Sequence, residues 1–178
     1  MNNRMKLLTI AVLSVVGISA ASAATTGTLT ITGNVTDQTC EVSAAQLTRT
    51  VDLGDITLGN IQAVAQKASV SSKPLVFNVT KCPASTKSVG IKFAYTADKT
   101  NTQYLANTGA GKGVLLGITD NADALVANGG VVKAADLNVT AGTATVNAKV
   151  QAYRTAAANT DITAGNIAST ATVTVDMQ

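Results

Sequence analysis

The chain has 178 residues, a formal net charge of +3 and no histidine, which removes the commonest general base and most nucleophile triads. Its basic residues, Lys67, Lys73, Lys81, Lys87, Lys92 and Lys99 among them, are scattered singly, so no run exists to neutralise a line of phosphates and nucleic acid is not an expected partner. Glu41 is the sole glutamate and the aspartates are dispersed, so no metal or cofactor site is expected. Composition alone leaves Ser-Lys or paired-aspartate chemistry open, but nothing places such residues together, and the chain reads as non-enzymatic.

Residues 1–23 have the layout of a secretory signal. Arg4 and Lys6 form a short basic region, an apolar run covers 7–18, and Ala21-Ser22-Ala23 is a small-residue cleavage site. The run is shorter than the roughly 20 residues a bilayer core requires, so export with cleavage is expected rather than stable membrane insertion. Losing Arg4 and Lys6 leaves the mature chain almost neutral. Residues 24–178 are the size of one ordinary domain.

The first regular segment of that domain is 29–35. Leu29, Ile31 and Val35 line one face with Gly33, and Thr30, Thr32 and Asn34 line the other. By pattern alone this is an ordinary first strand pairing inside its own sheet. Cys40 and Cys82 are the two cysteines. In an oxidising compartment their simplest arrangement is one intrachain disulfide, worth about 4 kcal/mol in the chain-entropy treatment. A redox or metal pair is the competing reading, without C-x-x-C spacing or further ligands to support it.

Between and beyond the cysteines, period-2 alternation predicts strands at 75–79, 89–95, 146–153 and 171–177, with shorter candidates at 51–53 and 114–118. Only 62–69 reads as a helical turn or two. Turn signals fall at Asp120-Asn121, Asn128-Gly129-Gly130 and Ala164-Gly165-Asn166. The run 107–113, with its three glycines around Lys112, lacks the spacing of a phosphate-binding loop and reads as a flexible surface connection. Short strands joined by hydroxyl-rich links imply an all-β, antiparallel sandwich.

The stretch Gly27-Thr28-Leu29-Thr30-Ile31-Thr32-Gly33-Asn34-Val35, followed by Cys40, resembles the N-terminal extension of chaperone-usher pilins, the type 1 fimbrial protein family. Thr50-Val51-Asp52-Leu53-Gly54-Asp55-Ile56 resembles the family's first-strand segment. Phe77-Asn78-Val79 leading to Cys82 resembles its second strand and second cysteine, and Ala152-Tyr153 its penultimate strand. Gly165 stands where the family carries a characteristic glycine. Met177 stands where an aromatic is usual, and its apolar, adaptable side chain suits the same place.

The resemblance implies an incomplete immunoglobulin-like β-sandwich lacking its last strand. Residues 1–23 would be the signal peptide, 24–36 a donor-strand extension and 37–178 the pilin domain. It further implies an apolar acceptor groove lined by Ala171, Val173, Val175 and Met177. A periplasmic chaperone would contact the last strand and the terminal carboxylate of Gln178, an outer-membrane usher would direct assembly, and related pilin subunits would be partners in a cell-surface fimbrium serving adhesion. Leu29, Ile31, Gly33 and Val35 would then fill a neighbour's groove. The leading expectation is a major shaft subunit. A minor adaptor pilin and a free secreted β-sandwich binding domain are the alternatives.

Overall fold

A computed structural model describes residues 39–178; the signal segment and the 29–35 strand lie outside the described residues. The described chain runs β1 (Glu41–Val42), α1 (Ala44–Leu47), α2 (Leu58–Ala63), β2 (Ser69–Thr80), β3 (Val89–Tyr95), β4 (Val114–Asp120), β5 (Val131–Lys133), β6 (Ala144–Arg154), a single 3-10 turn (Asn159–Asp161) and β7 (Ala171–Met177). Two antiparallel sheets result. One has the order β1-β2-β6-β4 and the other β5-β3-β7.

Alternation explains how they stack. In β2, Leu75, Phe77 and Val79 are buried while Val76, Asn78 and Thr80 are exposed, and in β3 Val89, Ile91, Phe93 and Tyr95 point inward. Phe77 from one sheet meets Phe93 from the other edge-to-face, with centroids 6.0 Å apart. Val146 and Ala148 of β6 complete the centre. The outward side of β6 carries a second cluster, in which Tyr153 packs edge-to-face on Tyr104 at 5.3 Å beside Leu115 and Leu125. Burial raises the pKa of both tyrosines, Tyr153 also feeling Tyr104 and Asp123.

Cys40 and Cys82 form a disulfide across a sequence separation of 42, tying the entry to β1 to the exit from β2. Strands β3 and β7 have the bounds expected from alternation. Other segments differ. Residues 51–53 form no strand. Helix α2 begins before 62–69, because the Thr57 side chain accepts from the Asn60 N–H at 3.2 Å and caps the helix there. Ser69 already belongs to β2, which passes straight through Pro74, and β5 has no counterpart among the expected strands because three residues carry no readable period.

The 107–113 run is not a loose connection. The Thr108 N–H donates to the Ala168 carbonyl at 2.8 Å, the Gly111 N–H to the Asn166 carbonyl at 3.0 Å, and Lys112 and Thr163 pair reciprocally. Gly165 is required by this approach, since a Cβ there would lie 2.5 Å from the Gly111 nitrogen. A Cβ at Gly109 would strike the Asn166 carbonyl. The glycines that suggest mobility in sequence instead permit two backbone segments to touch.

Arg154 is a second device that pattern reading does not reveal. It is 8% exposed, and among the described residues no carboxylate pairs with it. Its guanidinium donates instead to the carbonyls of Ala156 (3.1 Å), Ala157 (3.2 Å), Gln62 (3.1 Å) and Val64 (2.8 Å). Gln62 and Val64 sit at the C-terminal end of α2, where carbonyls lack helical partners. Arg154→Met strands these carbonyls and should cost on the order of 3 kcal/mol, read as a lower urea midpoint with unchanged slope.

An ion pair lies beside the β4–β6 face. Lys149 Nζ lies 2.8 Å from Asp123 Oδ1, and the Gln151 amide donates to the same oxygen. The Lys149 hydrogen bond leads in lowering the Asp123 pKa, with Gln151 adding to it and desolvation opposing. A depressed carboxylate stabilises the fold above its unfolded pKa, about 3.9, and that contribution is lost as pH falls through the lower, folded value. Asp123→Asn should therefore flatten the stability profile on this acid limb and leave it unchanged in shape near neutrality.

Candidate functional site

Strand β7 is the end member of its sheet. It pairs with β3 from Ala171↔Tyr95 to Met177↔Val89, and among the described residues no strand pairs with its other edge. An edge of this kind presents a row of N–H and C=O groups ready for another strand. Alternation places Ala171, Val173, Val175 and Met177 on one side, with Thr172, Thr174 and Asp176 opposite.

Beside that edge the two sheets are parted by a groove. Its first portion, about 320 Å³, lies between Ala171 and Val173 on one wall and Leu47 to Val51 on the other. Phe77 and Leu75 of β2, Phe93 of β3, Leu116 and Ile118 of β4, Val150 of β6 and Leu105 form its floor. Through Val51 and Leu116 it meets a second portion of about 420 Å³ that includes Leu53, Ile56, Gly165 and Ile167. An apolar trough flanked by a strand edge that has no partner among the described residues fits an extended peptide with alternating apolar side chains. Among the described residues no three His, Cys, Asp or Glu side chains come together to hold a metal ion.

The residues expected to line the groove lie in different places. Ala171 and Val173 line the groove, while Val175 and Met177, farther along β7, pack partly buried on the main core. Met177 Sδ accepts from the Cys40 N–H at 3.0 Å, which fixes the strand's end beside the disulfide. Gln178 continues the pairing. Its N–H donates to the Ser88 carbonyl at 3.0 Å, and its own oxygen accepts from the N–H groups of Lys87 (2.7 Å) and Ser88 (2.9 Å). Gly165 borders the opposite portion. Leu29, Ile31, Gly33 and Val35 lie outside the described residues.

Sequence reading missed the floor residues and Arg49. Each floor residue could be flagged as inward by alternation, yet only the sheet order shows which of them border an edge. Arg49 carries no sequence signal. Its guanidinium sits 4.6 Å over the Phe77 ring and donates to the Val76 carbonyl at 3.2 Å, and partial desolvation lowers its pKa.

Known proteins resemble this chain in sequence and in fold. The family profile described as "Fimbrial protein" matches residues 29–178. A probable major fimbrial subunit, LpfA of Escherichia coli O157:H7, is 30% identical over 116 residues, covering 63% of this chain and 64% of that protein. The S-fimbrial adhesin protein SfaS of Escherichia coli O6:K15:H31 is 32% identical over 161 residues, covering 88% of each. The fold is similar to that of a chaperone-usher pilus subunit, with a TM-score of 0.65 and 17% identity over 86% of this chain and 96% of the other. The sandwich is thus the immunoglobulin-like one of pilins, and the chain belongs to the fimbrial protein family, whose members are structural subunits rather than enzymes.

Proposed function

We propose that this chain is a shaft-forming subunit of a surface fimbria, exported through the periplasm and polymerised head-to-tail by strand exchange. The observation that carries the reading is the edge of β7, which no strand among the described residues pairs with, beside an apolar groove. Residues 29–35 of another copy supply the matching strand, with Leu29, Ile31 and Val35 facing inward and Gly33 seated where the groove is shallow. Donor and acceptor are different surfaces of one protomer, so the contact propagates as a filament. Before assembly a periplasmic chaperone covers the edge, engaging Met177 and the carboxylate of Gln178, and an outer-membrane usher directs the exchange. The resemblance of LpfA, named a probable major subunit, favours the shaft role.

Similarity to SfaS, named an adhesin protein, favours a second reading as a minor subunit. Quantifying this chain in purified fibres separates the two, a trace amount excluding the shaft. Periplasmic expression of residues 24–178 without a chaperone tests strand exchange itself. Degradation or aggregation is expected, and a soluble folded monomer that never exchanges strands overturns it.

A further inference from the structure

Two sheet edges, not one, border the groove: β7 in one sheet and β2 in the other. Strand β1 covers β2 only at Val79 and Thr80. Beyond that point the chain passes along β2 without forming a ladder, yet the edge is not bare. The Asn78 N–H donates to Gln46 Oε1 at 2.7 Å, and the Val76 carbonyl accepts from Arg49 at 3.2 Å. Residues two apart direct their backbone groups to the same edge, so the next position on this side is Pro74, which has no N–H to offer. The register Pro74↔Lys149, Val76↔Asn147, Asn78↔Thr145 runs without a bulge through these residues. Arg49 also lies over Phe77, covering the floor residue nearest this edge.

We infer that Gln46, Arg49 and Pro74 bar the β2 edge and thereby steer an incoming strand to β7. An added strand gains its specificity from main-chain pairing as well as from side-chain pockets, and two equivalent edges beside one groove would permit two registers and two outcomes. With the Asn78 N–H and the Val76 carbonyl engaged by side chains and Pro74 lacking an N–H, β7 is left as the better template. This deepens, and rests on, the reading of the groove as a strand acceptor.

The test uses the full mature chain assembled into fibres, carrying a photoreactive side chain in place of Thr32, with crosslinked peptides mapped by mass spectrometry. Wild-type fibres should give crosslinks to β7 and none to β2. Gln46→Ala with Arg49→Ala should add crosslinks to 74–78, and Pro74→Ala should increase them. Gln46→Glu with Arg49→Lys, which keep an acceptor and a donor, should restore β7 alone. Crosslinks confined to β7 in every variant, or β2 crosslinks already present in wild type, overturn the inference. Absence of β7 crosslinks in wild-type fibres instead removes the strand-acceptor reading beneath it. Gln46→Ala alone should also accelerate amide exchange at Asn78 in the folded subunit, and unchanged exchange there counts against the barred edge.

Discussion

Ile31→Asp should abolish fibre growth while leaving the subunit's own fold intact, because Ile31 is assigned to a neighbour's core. Burying Leu29, Ile31 and Val35 contributes on the order of 5 to 9 kcal/mol before main-chain pairing is counted. The substitution removes the share of Ile31 and adds the cost of placing a carboxylate among Phe77, Phe93 and Ile118. Gly33→Leu should act through bulk rather than charge, with the same result. Electron microscopy of surface fibres reads assembly, and chaperone-bound yield reads folding. Normal fibres from either variant remove the donor role of 29–35.

Replacing Cys40 and Cys82 together by serine should have the opposite profile, damaging the subunit first and the fibre only as a consequence. The disulfide closes a separation of 42 residues, and its loss should cost about 4 kcal/mol. It also frees the residue that precedes β1, Cys40, whose N–H meets Met177 at the end of β7. Urea unfolding of the purified subunit measures the first effect, and faster exchange of the amides around 175–178 measures the second. An unchanged midpoint contradicts this account of the bridge.

Much of this architecture is legible before any coordinates. Strands β3 and β7 are readable because their apolar residues alternate, Val89, Ile91, Phe93 and Tyr95 in one and Val173, Val175 and Met177 in the other packing on the core, so their bounds follow from the residues. The cysteine pair follows from compartment and number. Gly165 is legible as a marked position through resemblance, but its cause is not. The need arises from Gly111, more than fifty residues away in sequence, whose backbone touches it only in the folded chain.

What was not legible depends on edges and long-range partners. Residues 51–53 have strand-like composition, yet they meet β2 through a side chain, the Ser71 hydroxyl donating to the Leu53 carbonyl, and not through a backbone ladder. Pro74 precedes the strand expected at 75–79 yet lies inside β2, where at an edge position it removes only an N–H that no strand among the described residues would receive. Arg154 sits in a strand whose alternation says nothing of its four carbonyl acceptors, because those belong to α2 and to the turn after β6. The groove itself is a property of strand order, which no local pattern encodes.

The central claim is that residues 29–35 are buried in another molecule rather than in their own sheet. Fibres grown from an equal mixture of ¹⁴N- and ¹⁵N-labelled subunits, each carrying a photoreactive side chain in place of Thr32, test it most directly. Hybrid crosslinks joining a light extension to a heavy β7, and the reverse, should be as abundant as same-label ones. Crosslinks that join only segments of the same label would place the strand in its own chain and contradict the account.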